Sequence, residues 1–321
     1  MATEDLHETL RHLPGQVRDA AVAAADVEGL PAPGDVSEVV IVGAGGGGVA
    51  GDVVESVAHL QGSVPVLATG GISPAWLSES SLVVAVSQSG DDQPTVAAAR
   101  VAQASGARMV AVTSGGELME LCTGWGVPVT RVDPFAGPAA GLGVVIVPVL
   151  VLLERVGVLS GMNRLISESA EQIEARGRLL DSDPGPVEAL ADAVAGRMAV
   201  VCGSGGVGKH AARRWVNRLN WVGDVASVRR NLPADEAEAA TWATLARGVE
   251  AGVVAVVLRH DFEPPGLADR VDLLGSAVTA VHEVRAGGDG ALAQLLDLVL
   301  VGDAVAALAA QRGAVTSPDS S

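Results

Sequence analysis

The chain has 321 residues, a formal net charge of −17 and a 49% hydrophobic composition with 40 glycines. This length allows two domains of ordinary size, and the negative charge disfavours nucleic acid and anionic membrane surfaces as partners. Aromatic residues make up only 2% of the chain, so we expect a core of Val, Ala and Leu. Cys122 and Cys202 form neither a disulfide framework nor a metal-ligand pattern, which predicts a reducing, cytoplasmic location and no bound metal.

The first half of the chain alternates between strand and helix patterns. An amphipathic helical lead-in is predicted over about residues 1–30, with no signal-peptide pattern in it. Predicted strands at Val39–Val42, Ser81–Val86 and Met109–Val112 run into the glycine-containing segments GAGGGGVAGD, SQSGDDQPT and TSGGEL. This alternation predicts an α/β fold with a doubly wound parallel sheet. The apolar run Leu142–Leu153 is too short for a membrane span and predicts a buried helix in the core or in a subunit interface.

The second half repeats the pattern of the first. Met198–Val201 leads into CGSGGVGKH, and Val253–Leu258 leads into RHDFEPPG. A Pro-, Gly- and Ser-containing linker is predicted at Asp181–Pro186. We therefore predict an N-terminal domain over residues 1–180, a second domain over 187–315 and a disordered tail over 316–321.

Two glycine-rich turns are each compatible with nucleotide binding. In the first, Gly43, Gly45 and Gly48 fit the dinucleotide fingerprint G-x-G-x-x-G, but the acidic residue expected about 20 positions later is missing. In the second, Gly203–Lys209 fits the P-loop pattern, but His210 stands where a magnesium-binding Ser or Thr is expected. A tight turn without a ligand and a P-loop-like nucleotide site remain alternatives to anion binding at a helix N-terminus.

The segment Val86–Thr95, VSQSGDDQPT, offers two hydroxyl groups and several backbone N–H groups at the start of a predicted helix. Such a loop is typical of phosphate binding. A Ser or Asp that only caps the helix explains the same residues without any ligand.

The segments VGAGGGGVAGD, VVAVSQSGDDQPT and GARMVAVTSGGEL, in this order, resemble the SIS (sugar isomerase) superfamily. RRWVNRLNWVGDVA and NLPADEAEAATW are similar to segments of bifunctional phosphoglucose/phosphomannose isomerases, as is LVGDAVAALAA near the C-terminus. The resemblance implies two flavodoxin-like αβα sandwiches, a homodimer, a sugar or sugar phosphate ligand and no cofactor. It also implies aldose–ketose isomerisation, in which a general base moves a proton between two sugar carbons.

The chain departs from the family pattern at the positions that carry the chemistry. Ser87 and Ser89 match the phosphate loop of the family, but Asp91 and Asp92 replace its Asn-Thr and Gly47 replaces a serine. The family's carboxylate base, histidine and arginine fall on Trp221, Ala237 and Ala139, and its late lysine has no counterpart. Glu236, Glu238 and His210 are weak candidates for replacement catalysts, and His260 is a further histidine at a strand end.

Charge argues against a phosphate in the serine loop. A phosphate charge about 5 Å from a carboxylate is opposed by roughly 3 kcal/mol at an effective dielectric constant near 20. The favourable interaction of a negative charge with a helix N-terminus is only about 0.3–1 kcal/mol, which does not offset this repulsion. The main hypothesis is therefore a catalytically degenerate SIS protein with a binding, regulatory or structural role, and the alternative is an active isomerase that uses displaced residues. The predicted ligand-binding residues are Gly45, Gly46, Gly47, Ser87, Ser89 and Asp92.

Overall fold

A computed structural model describes residues 15, 18–132, 141–232, 244, 248–249 and 252–316. The chain divides into two compact units, and we use the name N-terminal unit for His12–Ala170 and C-terminal unit for the part from Glu171 onwards. The division falls inside a long helix, whereas the predicted linker at 181–186 spans the end of that helix and the start of the next. Within the predicted lead-in, residues 18–25 are helical. Thr316 is still helical, and residues 317–321 of the predicted tail lie outside the described residues.

The N-terminal unit contains a five-stranded parallel sheet. Its strands are β1 (Glu38–Val42), β2 (Val66–Ala68), β3 (Ser81–Val86), β4 (Arg108–Thr113) and β5 (Val129–Arg131), in the order β2-β1-β3-β4-β5. Val40 pairs with Val83, which in turn pairs with Met109. This is the flavodoxin-like order, in which ligands bind outside the carboxyl ends of the strands near β1 and β3.

Helices cover the sheet of the N-terminal unit because its strands are apolar on both faces. They are α1 (Gly45–Gln61), α2 (Gln93–Ala104), α3 (Gly116–Trp125) and α4 (Gly141–Arg155), and α5 (Met162–Ser182) leads into the C-terminal unit. All six residues of β3 are buried. Residues 143–153 of α4 are also buried, which confirms the predicted buried helix. Cys122 lies in the core, and burial raises the pKa of its thiol to about 11, so the thiol is unreactive at neutral pH.

The C-terminal unit contains a four-stranded parallel sheet with the same order as the first four strands. Its strands are β6 (Met198–Ser204), β7 (Ser227–Leu232), β8 (Val253–Arg259) and β9 (Ala280–Arg285), in the order β7-β6-β8-β9. Its helices are α6 (Gly185–Val194), α7 (Gly205–Trp221), α8 (Leu267–Gly275) and α9 (Ala291–Thr316). The predicted α/β fold with two doubly wound parallel sheets is confirmed.

Helix α9 is apolar and long enough to cross a membrane, but it is packed inside the C-terminal unit. Its segment Ala291–Arg312 has a mean hydropathy of 1.9, and 89% of that window is buried. The helix carries two buried carboxylates, Asp297 and Asp303. Asp303 pairs with Arg214 at 2.9 Å and with Arg218 at 3.1 Å, both on α7. These ion pairs and the burial identify α9 as a core helix.

Candidate ligand site at the carboxyl end of the five-stranded sheet

The turn after β1 leads directly into the N-terminus of α1. The N-cap residue, Ala44, makes no side-chain cap, and the first turn of α1 contains no acidic residue. Gly45 and Gly46 are exposed, so their backbones are accessible to a ligand. The first N–H groups of a helix have no partner within the helix and favour a negative or hydrogen-bond-accepting group. This turn is therefore suited to bind ligand oxygens.

Gly47 lies against the end of β3. A Cβ atom at Gly47 would lie 2.1 Å from the carbonyl oxygen of Val86, so any side chain here requires the backbone to move. The family's serine at this position therefore cannot be accommodated in the present backbone. The close approach places the glycine turn directly beside Ser87, which follows Val86.

The serine loop is stabilised by its own hydroxyl groups. Ser87 is buried, and its Oγ accepts a hydrogen bond from the Gly90 N–H at 3.2 Å. Ser89 is exposed, and its Oγ accepts from the Asp91 N–H at 3.2 Å. Each hydroxyl retains a proton that it can donate. The structure thus brings Gly45, Gly46 and Gly47 to the strand end that also holds Ser87, Ser89 and Asp92; their role in binding stays a prediction.

Both aspartates of the loop cap helices of the protein itself. Asp92 is the N-cap of α2, and its Oδ2 accepts from the Thr95 N–H at 3.1 Å and from the Thr95 hydroxyl. The Thr95 Oγ1 accepts in turn from the Ala44 N–H at 3.1 Å, which ties α2 to the glycine turn. Asp91 Oδ1 accepts from the Glu117 N–H at 3.0 Å in the first turn of α3. Two helix N-termini therefore already have a carboxylate partner.

Gly90 is the position where the serine loop packs most closely on its neighbour. Its φ is +79°, and a Cβ atom would lie 1.8 Å from the Gly115 carbonyl oxygen. We expect Gly90→Ala to lower the free energy of unfolding by at least about 2 kcal/mol, because left-handed strain of about 1–2 kcal/mol is added to this collision. Urea unfolding measures the loss.

Gly106→Ala is the matched control for Gly90→Ala. Gly106 has a similar φ of +77°, but the nearest atom to its Cβ position is 3.9 Å away. This variant should show the strain alone, about 1 kcal/mol. Equal losses in the two variants would contradict the close packing of the loop.

None of the candidate replacement catalysts is a described residue of the N-terminal unit. Glu236, Glu238 and Ala237 lie outside the described residues, as does Ala139. His210 is buried on α7 of the C-terminal unit. Trp221 ends α7 with a side chain that is 90% exposed, so it does not fill a cleft within its own unit.

The P-loop interpretation of Gly203–Lys209 is wrong. Helix α7 already begins at Gly205, so Gly208 and the exposed Lys209 are helical and do not form a loop around a phosphate chain. A P-loop needs several consecutive N–H groups that point into one loop before the helix begins. A Cβ atom at Gly203 would lie 2.0 Å from the Gly208 carbonyl oxygen, which reflects a tight turn closed on the helix.

His260 follows β8 and supports this tight turn. It is 2% exposed, and its Nδ1 accepts from the Phe262 N–H at 3.1 Å. Nε2 lies 2.9 Å from the Ser204 carbonyl oxygen and 3.2 Å from the Gly208 nitrogen, so His260 contacts both ends of the turn. Burial is the main cause that lowers the pKa of His260, which keeps the ring neutral. These contacts are structural: they hold the turn between β6 and α7 against the loop after β8.

The lowered pKa of His260 predicts an acid-dependent stability. The unfolded chain takes up a proton near the ordinary histidine pKa of 6.5, whereas buried His260 does so only at lower pH. The free energy of unfolding should therefore fall as pH drops through 6.5 towards 5. In His260→Gln this part of the slope should disappear, as measured by urea unfolding at each pH. The control His59→Gln, at an exposed position, should keep the whole slope. A His260→Gln variant that also keeps the whole slope would contradict the assignment.

Comparisons with known proteins agree with this architecture. Residues 184–316 match the model of the bacterial phospho-glucose isomerase C-terminal SIS domain. The chain is 24% identical over 310 residues to a bifunctional phosphoglucose/phosphomannose isomerase from Caldicellulosiruptor bescii, covering 94% of this chain and 91% of that protein. A protein of the same name from Thermoplasma acidophilum is 28% identical over 221 residues, 67% of this chain and 63% of that protein.

The fold is shared with solved structures over nearly the whole chain. Tagatose-6-phosphate ketose/aldose isomerase from Escherichia coli superposes with a TM-score of 0.65 at 15% identity, covering 95% of this chain and 92% of that chain. The resemblance drawn from the sequence motifs is confirmed: residues 184–316 match a SIS-domain family model, and the chain is similar over nearly its whole length to a bifunctional phosphoglucose/phosphomannose isomerase.

Proposed function

We propose that the chain binds a sugar or an uncharged sugar derivative at the carboxyl end of the five-stranded sheet and has lost efficient isomerisation of sugar phosphates. The observation that carries this proposal is the pair of loop carboxylates. Asp92 caps α2 and Asp91 caps α3, so the N-termini of these two helices beside the serine loop are already neutralised by the protein, and the start of α1 is left for ligand oxygens.

The remaining groups suit hydroxyl-bearing ligands better than a dianion. Ser87 and Ser89 can each donate a hydrogen bond, and the exposed Gly45 and Gly46 present backbone groups. Carboxylate oxygens accept hydrogen bonds from sugar hydroxyls, whereas they repel a phosphate by roughly 3 kcal/mol at about 5 Å. A cytoplasmic homodimer with a binding or regulatory role is part of this proposal, supported by the resemblance to the SIS family.

Calorimetric titration with glucose, fructose and glucose 6-phosphate tests the proposed ligand class. We expect binding of an unphosphorylated sugar in the millimolar range, and no tighter binding of the phosphorylated sugar at the serine loop. Ser87→Ala should weaken sugar binding, because it removes a buried donor at the strand end. A phosphorylated sugar that binds at least tenfold more tightly than glucose, with the difference lost in Ser87→Ala, would refute the proposal.

An active sugar-phosphate isomerase is the second candidate, and the names of the relatives from Caldicellulosiruptor bescii and Thermoplasma acidophilum favour it. It would require a base to replace the family carboxylate that falls on Trp221. Glu236, Glu238 and His210 are the candidates for that role. This function predicts turnover that is lost in Ser87→Ala and in one of the three variants Glu236→Gln, Glu238→Gln and His210→Gln.

A further inference from the structure

The N-terminus of α7, in the C-terminal unit, is a second helix start built like that of α1. Helix α7 has 17 residues, its N-cap residue makes no side-chain cap, and its first turn contains no acidic residue. Gly205 and Gly206 are exposed and carry no side chains that could cover their N–H groups. The first turn of such a helix carries partial positive charge and several N–H donors without helical partners.

Ser204 adds an unused hydroxyl at the same place. It is the N-cap residue of α7 and is 1% exposed, yet its Oγ has no hydrogen-bond partner among the described residues. A buried hydroxyl without a partner costs free energy and is rare in folded proteins. Ser204 directly precedes the first turn of α7, and its Oγ makes no cap hydrogen bond, so an acceptor bound in front of that turn is the partner that we infer for it.

Lys209 supplies a cation on the same face of the helix. It is the only lysine of the chain, it is exposed, and it pairs with no carboxylate among the described residues. It follows Gly205 by four positions and Gly206 by three, and helical side chains lean towards the N-terminus. Its ammonium group can therefore reach the space in front of the two glycines.

The two carboxylates of the loop after β8 are occupied elsewhere. Glu263 pairs with Arg259 at 2.9 Å and accepts from the His260 N–H at 3.0 Å. Asp261 accepts from the side-chain amide of Gln294 at 2.5 Å. The hydrogen bonds of these two carboxylates go to groups outside the first turn of α7.

We propose that the N-terminus of α7, with Ser204 and Lys209, binds a phosphate group in a site separate from the serine loop. The group is a phosphate monoester or inorganic phosphate, held by N–H groups of the first turn, the Ser204 hydroxyl and the Lys209 ammonium. This site explains the lysine and glycines that resemble a P-loop in sequence, without the wrapped loop that a P-loop requires.

The single lysine allows a direct test. Reductive methylation with ¹³C-formaldehyde labels Lys209 and the α-amino group and keeps the lysine charge. Titration with inorganic phosphate at constant ionic strength should shift the Lys209 signal in a saturable way and leave the α-amino signal in place, with chloride as the salt control. Lys209→Arg assigns the signal by removing it. A Lys209 signal that moves no more with phosphate than with chloride would overturn the proposal.

Variants at the two sites separate their contributions. Ser204→Ala should weaken phosphate binding at Lys209 at least threefold, whereas Ser87→Ala should leave it unchanged. The reverse pattern would overturn the proposal, as would an unchanged affinity in Ser204→Ala. Glucose 6-phosphate and ADP without magnesium then distinguish a sugar phosphate from a nucleotide as the source of the phosphate. Binding of glucose 6-phosphate or of ADP that is weakened by Ser204→Ala supports the site.

Discussion

Replacement of Asp297 by alanine is expected to lower the free energy of unfolding by about 3–5 kcal/mol, because it leaves Arg176, whose side chain is only 17% exposed, without its partner. Asp297 is fully buried on α9 and accepts hydrogen bonds from Arg176 at 2.8 and 2.6 Å, from Gln172 at 2.7 Å and from the Gly287 N–H at 2.8 Å. The change removes four hydrogen bonds at once, and urea unfolding measures the loss.

Asp192→Ala is the matched control for this prediction. Asp192 also pairs with an arginine Nε at 2.8 Å, that of Arg312, but its side chain is 60% exposed. Water and counterions replace such a pair, so the expected loss is below about 1 kcal/mol. If the two variants lost similar stability, the pair at Asp297 would not hold α9 in the core as described.

Removal of the loop charges should create phosphate binding. The double variant Asp91→Asn with Asp92→Thr carries the residues of the family pattern, and both new side chains can still cap α2 and α3. Loss of about 3 kcal/mol of repulsion corresponds to a gain of roughly 100-fold in affinity for glucose 6-phosphate at the serine loop. Calorimetric titration of the double variant and of the unsubstituted chain measures this gain.

A third substitution, Ser87→Ala in the double variant, shows whether the gain belongs to the serine loop. The loss of a buried hydroxyl beside the Gly90 N–H should abolish most of the gained affinity. Asp91→Asn with Asp92→Asn tests the charge alone. An unchanged affinity for glucose 6-phosphate in both double variants would show that the carboxylates do not set the ligand class.

The central strands were predictable because burial on both faces leaves an uninterrupted apolar run. Ser81–Val86 has the same bounds as a predicted strand and as β3. The edge strands give no such signal: β7 reads SVRRNL and β9 reads AVHEVR, with alternating or partial burial. Helix α9 is similarly hard to recognise as a core helix from the sequence, since the groups that pair with its buried aspartates, such as Arg176 and Arg214, lie far away in the chain.

The sequence predicts that the candidate site residues follow the ends of strands, but it does not predict which contacts they make. Asp92 as a cap of α2 could be predicted from its place three residues before Thr95. The cap from Asp91 to the Glu117 N–H joins residues 26 positions apart, and His260 contacts Ser204 from 56 positions away. Such contacts depend on how neighbouring strand ends approach each other, which local sequence patterns do not encode.

The most direct test of the central claim is a time course of ¹³C-labelled fructose 6-phosphate with the purified protein, followed by NMR. The account predicts no conversion to glucose 6-phosphate or mannose 6-phosphate at millimolar substrate, because the loop carboxylates cap α2 and α3 and repel a phosphate at the serine loop. Conversion that disappears in Ser87→Ala would contradict it and would show that displaced residues maintain isomerase activity.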